Sequence, residues 1–177
     1  MDLKAIEDEL NKFGKYVIQQ ARTRLTREKR NSSKTLYNSL AMFLDKDQNR
    51  RTLSFEMEDY GMFQDRGVKG ANPSLVKNGK QKAPNSPFKY RNKYPPLDAM
   101  IKFAKARKIR FRNEQGQFIT GNYQSVGFWL QKRIFAQGIK PSLFFTVPFQ
   151  RAYKNLPPDI AAAFGNDLGD FLNDILD

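Results

Sequence analysis

Glu56, Glu58, Asp59 and Asp65 are the densest group of potentially reactive side chains in this sequence, four carboxylates within ten residues. Hard oxygen ligands at this density can hold a divalent cation, and such an ion could support metal-dependent phosphodiester cleavage. No phosphate-cradling glycine loop accompanies them. The alternation in Leu53–Met57 puts Glu56 and Glu58 on one solvent-facing strand surface, so the surface reading outweighs the metal reading. The chain has no histidine and no cysteine. That removes Ser-His-Asp and Cys-His catalysis, imidazole and thiolate metal sites, and disulfides. There is no Walker sequence, dinucleotide fingerprint or zinc spacing. The residues therefore point to a protein that is not an enzyme, with no cofactor, no metal ligand set and no catalytic group.

Binding chemistry is better represented. Between Arg66 and Leu97 lie Arg66, Lys69, Lys77, Lys80, Lys82, Lys89, Arg91 and Lys93, with no acid. Phe88, Tyr90 and Tyr94 are interleaved with them, and Pro73, Pro84, Pro87, Pro95 and Pro96 argue for a long loop. Aromatic and basic side chains together suit a single-stranded nucleic-acid groove. They equally suit a segment that wraps an acidic protein neighbour, or a solvated loop. Net charge is +13. From Pro157 to Asp177 there are five acids and no base, which leaves +18 on residues 1–156. A stand-alone basic nucleic-acid-binding protein is the alternative this charge suggests.

The elements that would position these groups follow from periodicity. Leu3, Ile6, Leu10, Phe13 and Val17 step by three and four, which predicts a helix from Asp2 to about Leu25 with a basic last turn. Ser39–Leu44 and Thr52–Met57 read as strands joined by a loose hairpin, with Leu53, Phe55 and Met57 on the buried face. Pro96 opens a helix with Leu97, Met100, Ile101 and Ala104 inward. Ile109 and Phe111 then pair back on Phe118-Ile119 as a small hairpin.

Asn122–Tyr153 is the central stretch. Tyr123, Val126, Leu130 and Ile134 share one helical face, and Phe128 and Phe135 share another. Two apolar stripes imply a helix buried on both sides, or one core face and one partner face. Gly138 is expected as a left-handed cap. Lys140-Pro141 holds the chain extended, and Thr146 is expected to cap a helix that carries Pro148 in its first turn. A tail helix follows, with Ile160, Phe164, Leu168, Phe171 and Ile175 on one face and Asp159, Asp167, Asp170, Asp174 and Asp177 on another. The expected architecture is α+β: a small antiparallel sheet packed with the long N-terminal helix and the central helix, plus a C-terminal acidic amphipathic helix. Residues 1–156 read as one core domain with a basic inserted loop at about 68–94, and 157–177 as a helical extension. No apolar run reaches the roughly 20 residues of a membrane span.

Four short patterns together resemble a known family. They are Leu36-x-x-Ser39-Leu40, Tyr60-Gly61-x-Phe63-x-x-x-Gly67, the corner Gly138-Ile-Lys-Pro-Ser-x-Phe144-Phe145, and Pro148-Phe149-x-x-Ala152. The combination resembles the neck and tail-completion proteins of long-tailed bacteriophages, the minor tail protein Z group. The chain departs from that pattern at Gln64-Asp65, where many relatives carry a glutamate, and in the length of its basic segment and tail. The resemblance implies a structural virion protein, made in the host cytoplasm. It would form a hexameric ring at the head–tail junction, as tail completion or tail terminator protein, and join the tail tube to the connector beneath the portal. On that reading Phe128, Phe135, Asp167, Asp170 and Asp174 serve the subunit interface. Lys69, Lys77, Lys80, Lys82, Lys89, Arg91 and Lys93 then meet an acidic virion protein or packaged DNA.

Overall fold

The computed structural model describes residues 3–30, 33–48, 50–119 and 122–163. In chain order the elements are α1 (Leu3–Arg27), α2 (Thr35–Ser39), β1 (Ala41–Lys46), β2 (Arg51–Glu56), α3 (Gly61–Arg66) and β3 (Val68–Lys69). They continue with α4 (Ser74–Lys77), α5 (Leu97–Ala106), α6 (Tyr123–Gln137), β4 (Gly138–Ile139), α7 (Thr146–Lys154) and α8 (Pro158–Ala163). The class is α+β, as the sequence predicts. The chain forms two compact units. Unit 1 is Met1–Gly61 with Leu143–Asp177, and unit 2 is Met62–Ser142.

Unit 1 is built on α1. Its three-and-four spacing places Leu10, Phe13, Val17, Ala21 and Leu25 in the core. β1 and β2 pair antiparallel, from Ala41 opposite Glu56 to Lys46 opposite Arg51. Along β2 half-buried and exposed residues alternate, so Leu53 and Phe55 face inward as their period-two spacing requires. Phe13, Phe55, Phe145 and Phe149 meet edge to face or tilted, with ring centroids 5.3–6.2 Å apart. Arg22 ties α1 to the end of α2. Its Nε donates to the Tyr37 carbonyl at 3.1 Å and an Nη donates to the Leu40 carbonyl at 2.9 Å. At the hairpin end Glu7 accepts from Lys46 at 2.5 Å and Arg51 at 2.7 Å, which holds its carboxyl below the usual range. α8 brings Ile160 into the buried set.

Unit 2 pairs α5 with α6. Ala104, Val126 and Leu130 form its core, with Met100, Ile109, Phe111 and Tyr123 packed around it. The predicted first stripe of the central helix is thus the buried one. Gly127 allows the close approach of the two helices, since a Cβ there would lie 2.6 Å from Ile101 Cγ1. Asn122 caps α6 by accepting from the Gln124 amide at 3.0 Å. The central helix therefore packs on α5, whereas β1 and β2 pack with α1 in unit 1.

Two local expectations are corrected. Phe145, not Thr146, holds the N-cap position of α7, and it makes no side-chain cap hydrogen bond. Thr146 is instead the first helical residue and is buried. Gly138 closes α6 with φ 84° and ψ −173°, outside the left-handed helical region and in one that essentially only glycine occupies. Of the tail, α8 is described to Ala163; Asp167, Asp170 and Asp174 lie outside the described residues.

Candidate functional site

An α-helix ends with carbonyls that have no partner in the helix itself. In α6 these are taken by the basic segment. The Ala71 amide donates to Phe135 O at 2.8 Å, Asn72 to Ala136 O at 3.3 Å, and Lys82 to Gln137 O at 2.9 Å. β3 pairs antiparallel with β4, Val68 opposite Ile139. On the other side of β3 the chain returns in parallel, with Lys69 N donating to Phe88 O at 2.7 Å and Tyr90 N to Lys69 O at 2.9 Å. The stretch expected as an inserted loop over 68–94 is thus wrapped on the C-terminal end of α6 by its own backbone. Cations beside the negative end of a helix dipole are favoured there.

Gln81 holds this wrap together, and the sequence reading passed over it. Its Oε1 accepts from the Gly70 amide at 2.7 Å, and its Nε2 donates to the Gly70 carbonyl at 3.0 Å and the Asn72 carbonyl at 3.3 Å. The side chain is buried. A glutamine between two lysines reads as surface from sequence, and nothing local marks it as a clamp. Gln81→Leu leaves the Gly70 N–H without its partner, and a loss of about 2 kcal/mol is expected. Urea unfolding followed by fluorescence checks this, and an unchanged midpoint would show that the wrap does not depend on the clamp.

Around the wrap the predicted contact residues separate. Lys80, Lys82, Lys89, Arg91 and Lys93 are exposed, Lys69 is half-buried in β3, and Lys77 closes α4. Phe63 and Phe88 meet edge to face at 4.8 Å, with Arg66 over the Phe88 ring. Beside them a cavity of about 360 Å³ is lined by Phe63, Val68, Pro87, Phe88, Lys89, Tyr90 and Arg91. Burial raises the Tyr90 phenol above its usual pKa.

The second aromatic stripe of α6 divides. Phe135 lies under Tyr94, stacked at 4.1 Å and 25°, with Tyr90 at 5.8 Å. Its ring is therefore covered by this chain. Phe128 stays 44% exposed, and its neighbour Trp129, which the stripe did not include, is 41% exposed.

The carboxylate group does not converge. Glu56 and Asp59 are exposed and Glu58 is half-buried, whereas Asp65 is buried in unit 2. Among the described residues no three acidic side chains are placed to share a metal ion. No helix among them is long and apolar enough to cross a membrane.

The corner motif meets the turn motif inside unit 2. The Ser142 hydroxyl donates to Gln64 O at 2.7 Å, and its amide lies 3.1 Å from both Gln64 O and Asp65 O. A Cβ on Gly67 would fall 2.5 Å from Ile139 O. In unit 1, Leu36 and Leu40 share a core with Phe144, Phe145, Phe149 and Ala152. No protein-family model, curated protein or solved structure matches the chain.

Proposed function

We propose that this chain is a structural subunit of a tailed-phage virion, a ring former at the head–tail junction that completes the tail and joins it to the connector. One observation carries the reading. The patterns that resemble the neck and tail-completion proteins fall at packing joints: Gly67 against Ile139 and Pro141 in unit 2, and Leu36 and Leu40 against Phe144, Phe149 and Ala152 in unit 1. Residues that recur for architectural reasons belong at such joints, whereas a recurring catalytic pattern would converge on a cleft.

Phe128 supplies exposed aromatic surface of the kind a neighbouring copy covers. The neighbours along the particle axis would be the portal or connector and the tail tube. The protein is then a virion component with no catalytic turnover. Light scattering with negative-stain imaging, at low and high salt, tests the reading. Rings of one defined size, six-membered on the resemblance, are expected. Phe128→Asp is expected to leave the far-UV circular dichroism unchanged and to abolish the rings. A chain that stays monomeric at both salts and at high protein concentration counts against self-assembly.

A further inference from the structure

Charge is divided unevenly between the two units. Unit 2 holds 17 Lys and Arg against three Asp and Glu, a net +14, while unit 1 holds 14 against 15, a net −1. The ion pairs of Glu7, Glu9 and Glu28 all belong to unit 1. The densest cationic run is not in the wrapped segment. It is Lys102, Lys105, Arg107, Lys108, Arg110 and Arg112, six cations with no acid from Ala99 to Asn113. All six are exposed, and among the described residues none of them meets a carboxylate.

Unit 2 also carries ordered pairs of guanidinium and ring. Arg107 lies over Phe103 at 5.9 Å, Arg112 over Phe118 at 4.3 Å, and Arg133 over Trp129 at 4.9 Å. Each ring remains partly open, with Phe118 at 58% exposure. Phe111 joins the pieces: it meets Trp129 edge to face at 5.9 Å, and its carbonyl accepts from the Ile119 amide at 2.9 Å. Lys108 follows Arg107, the C-cap of α5, and has φ 51°. The Lys108 amide donates to Lys105 O and the Ile109 amide to Ala104 O, a helix-ending turn that favours glycine. A lysine is thus held where glycine would fit with less strain, which keeps the charge on this face.

We infer that α5 and the Phe111–Phe118 hairpin, with Trp129 beside them, form a binding face for single-stranded nucleic acid. Six unneutralised cations match a phosphate backbone, and half-open rings paired with planar guanidiniums supply stacking platforms for bases. An acidic polypeptide would use the charge but leaves Phe103, Phe118 and Trp129 unexplained. A duplex keeps its bases stacked on each other and does the same. The inference does not rest on the ring reading, because its readouts are binding and emission rather than assembly.

The test is fluorescence anisotropy of labelled oligo-dT with the full chain across a salt series, with Trp129 emission followed in parallel. Trp129 is the sole tryptophan, so its quenching reports stacking at this face. The logarithm of affinity is expected to fall against the logarithm of salt with a slope of about −3.5, for roughly five phosphate contacts. The combined variant Lys102→Gln, Lys105→Gln, Lys108→Gly, Arg110→Gln is expected to bind about 100-fold more weakly at ~0.1 M salt. Lys108→Gly alone is expected to hold or raise the unfolding midpoint while lowering affinity about fivefold, which a structural role for the lysine would not produce. Phe118→Ala is expected to weaken the single strand about tenfold. Equal affinity for a duplex or for poly-glutamate, unquenched Trp129, or a combined variant that binds like the parent overturns the inference.

Discussion

Gly138→Ala is expected to be the most damaging single substitution in unit 2, lowering stability by more than about 3 kcal/mol. Two effects add. The residue sits at φ 84° and ψ −173°, where a side chain costs about 1–3 kcal/mol in backbone strain. A Cβ there would also lie 2.1 Å from Val68 O and 2.7 Å from the Gly70 amide nitrogen. Both are backbone atoms of the segment that pairs with β4, so they cannot swing aside as a flexible side chain would. Relief requires breaking the pairing of Val68 with Ile139, and with it the cover over the end of α6. Gly79→Ala and Gly116→Ala supply the comparison. Both glycines also have positive φ, 64° and 80°, but nothing lies within 4 Å of a Cβ at either site. Each is expected to lose only about 1–2 kcal/mol. Urea unfolding followed by Trp129 emission separates the two classes. If all three variants lose the same amount, the corner has room to relax and the close-approach argument fails.

The second large effect is expected at Phe144, whose side chain is fully buried in the core of unit 1. Phe144→Ala removes most of an aromatic side chain from a site walled by α1, and a loss of about 3–5 kcal/mol is expected. Leu143, one residue earlier, provides the contrast. It is 38% exposed and has φ 52°. Leu143→Ala is expected to cost less than about 1 kcal/mol, and Leu143→Gly to stay within about 1 kcal/mol of the parent, because relief of strain offsets the added freedom of the unfolded chain. Thermal unfolding by circular dichroism checks all three. Comparable losses at Leu143 and Phe144 would mean that the apolar run is buried as a block, contrary to the exposure of Leu143.

The chemistry of the surface was partly legible before the fold was known. A helix from Pro96 with Leu97, Met100, Ile101 and Ala104 inward leaves Lys102, Lys105, Arg107 and Lys108 outward or flanking, and those cations are exposed. What the spacing did not disclose is that Arg107, Arg112 and Arg133 each settle on a ring. Nor did it disclose that Phe135, read with Phe128 as one partner-facing stripe, is covered by Tyr90 and Tyr94. Helical geometry says which residues share a face, but not which distant segment arrives to cover it.

Backbone periods and most of the chain's punctuation were legible before any tertiary contact was known. The three-and-four spacing of Leu10, Phe13 and Val17 set the buried side of α1. The alternation about Leu53 and Phe55 set the inward side of the hairpin. Gly138 marked the end of α6, and the lack of histidine and cysteine closed off whole classes of chemistry. These follow from backbone periods and side-chain types that act over a few residues. The tertiary structure alone decided the division into two units, the conformation of Gly138, the clamp made by Gln81, and the burial of Phe144 beside an exposed Leu143. Each of these depends on which backbone carbonyl or ring is brought alongside from a segment far away in sequence. Close packing decides such contacts at the scale of single atoms, and a pattern of apolar and polar letters does not carry that scale.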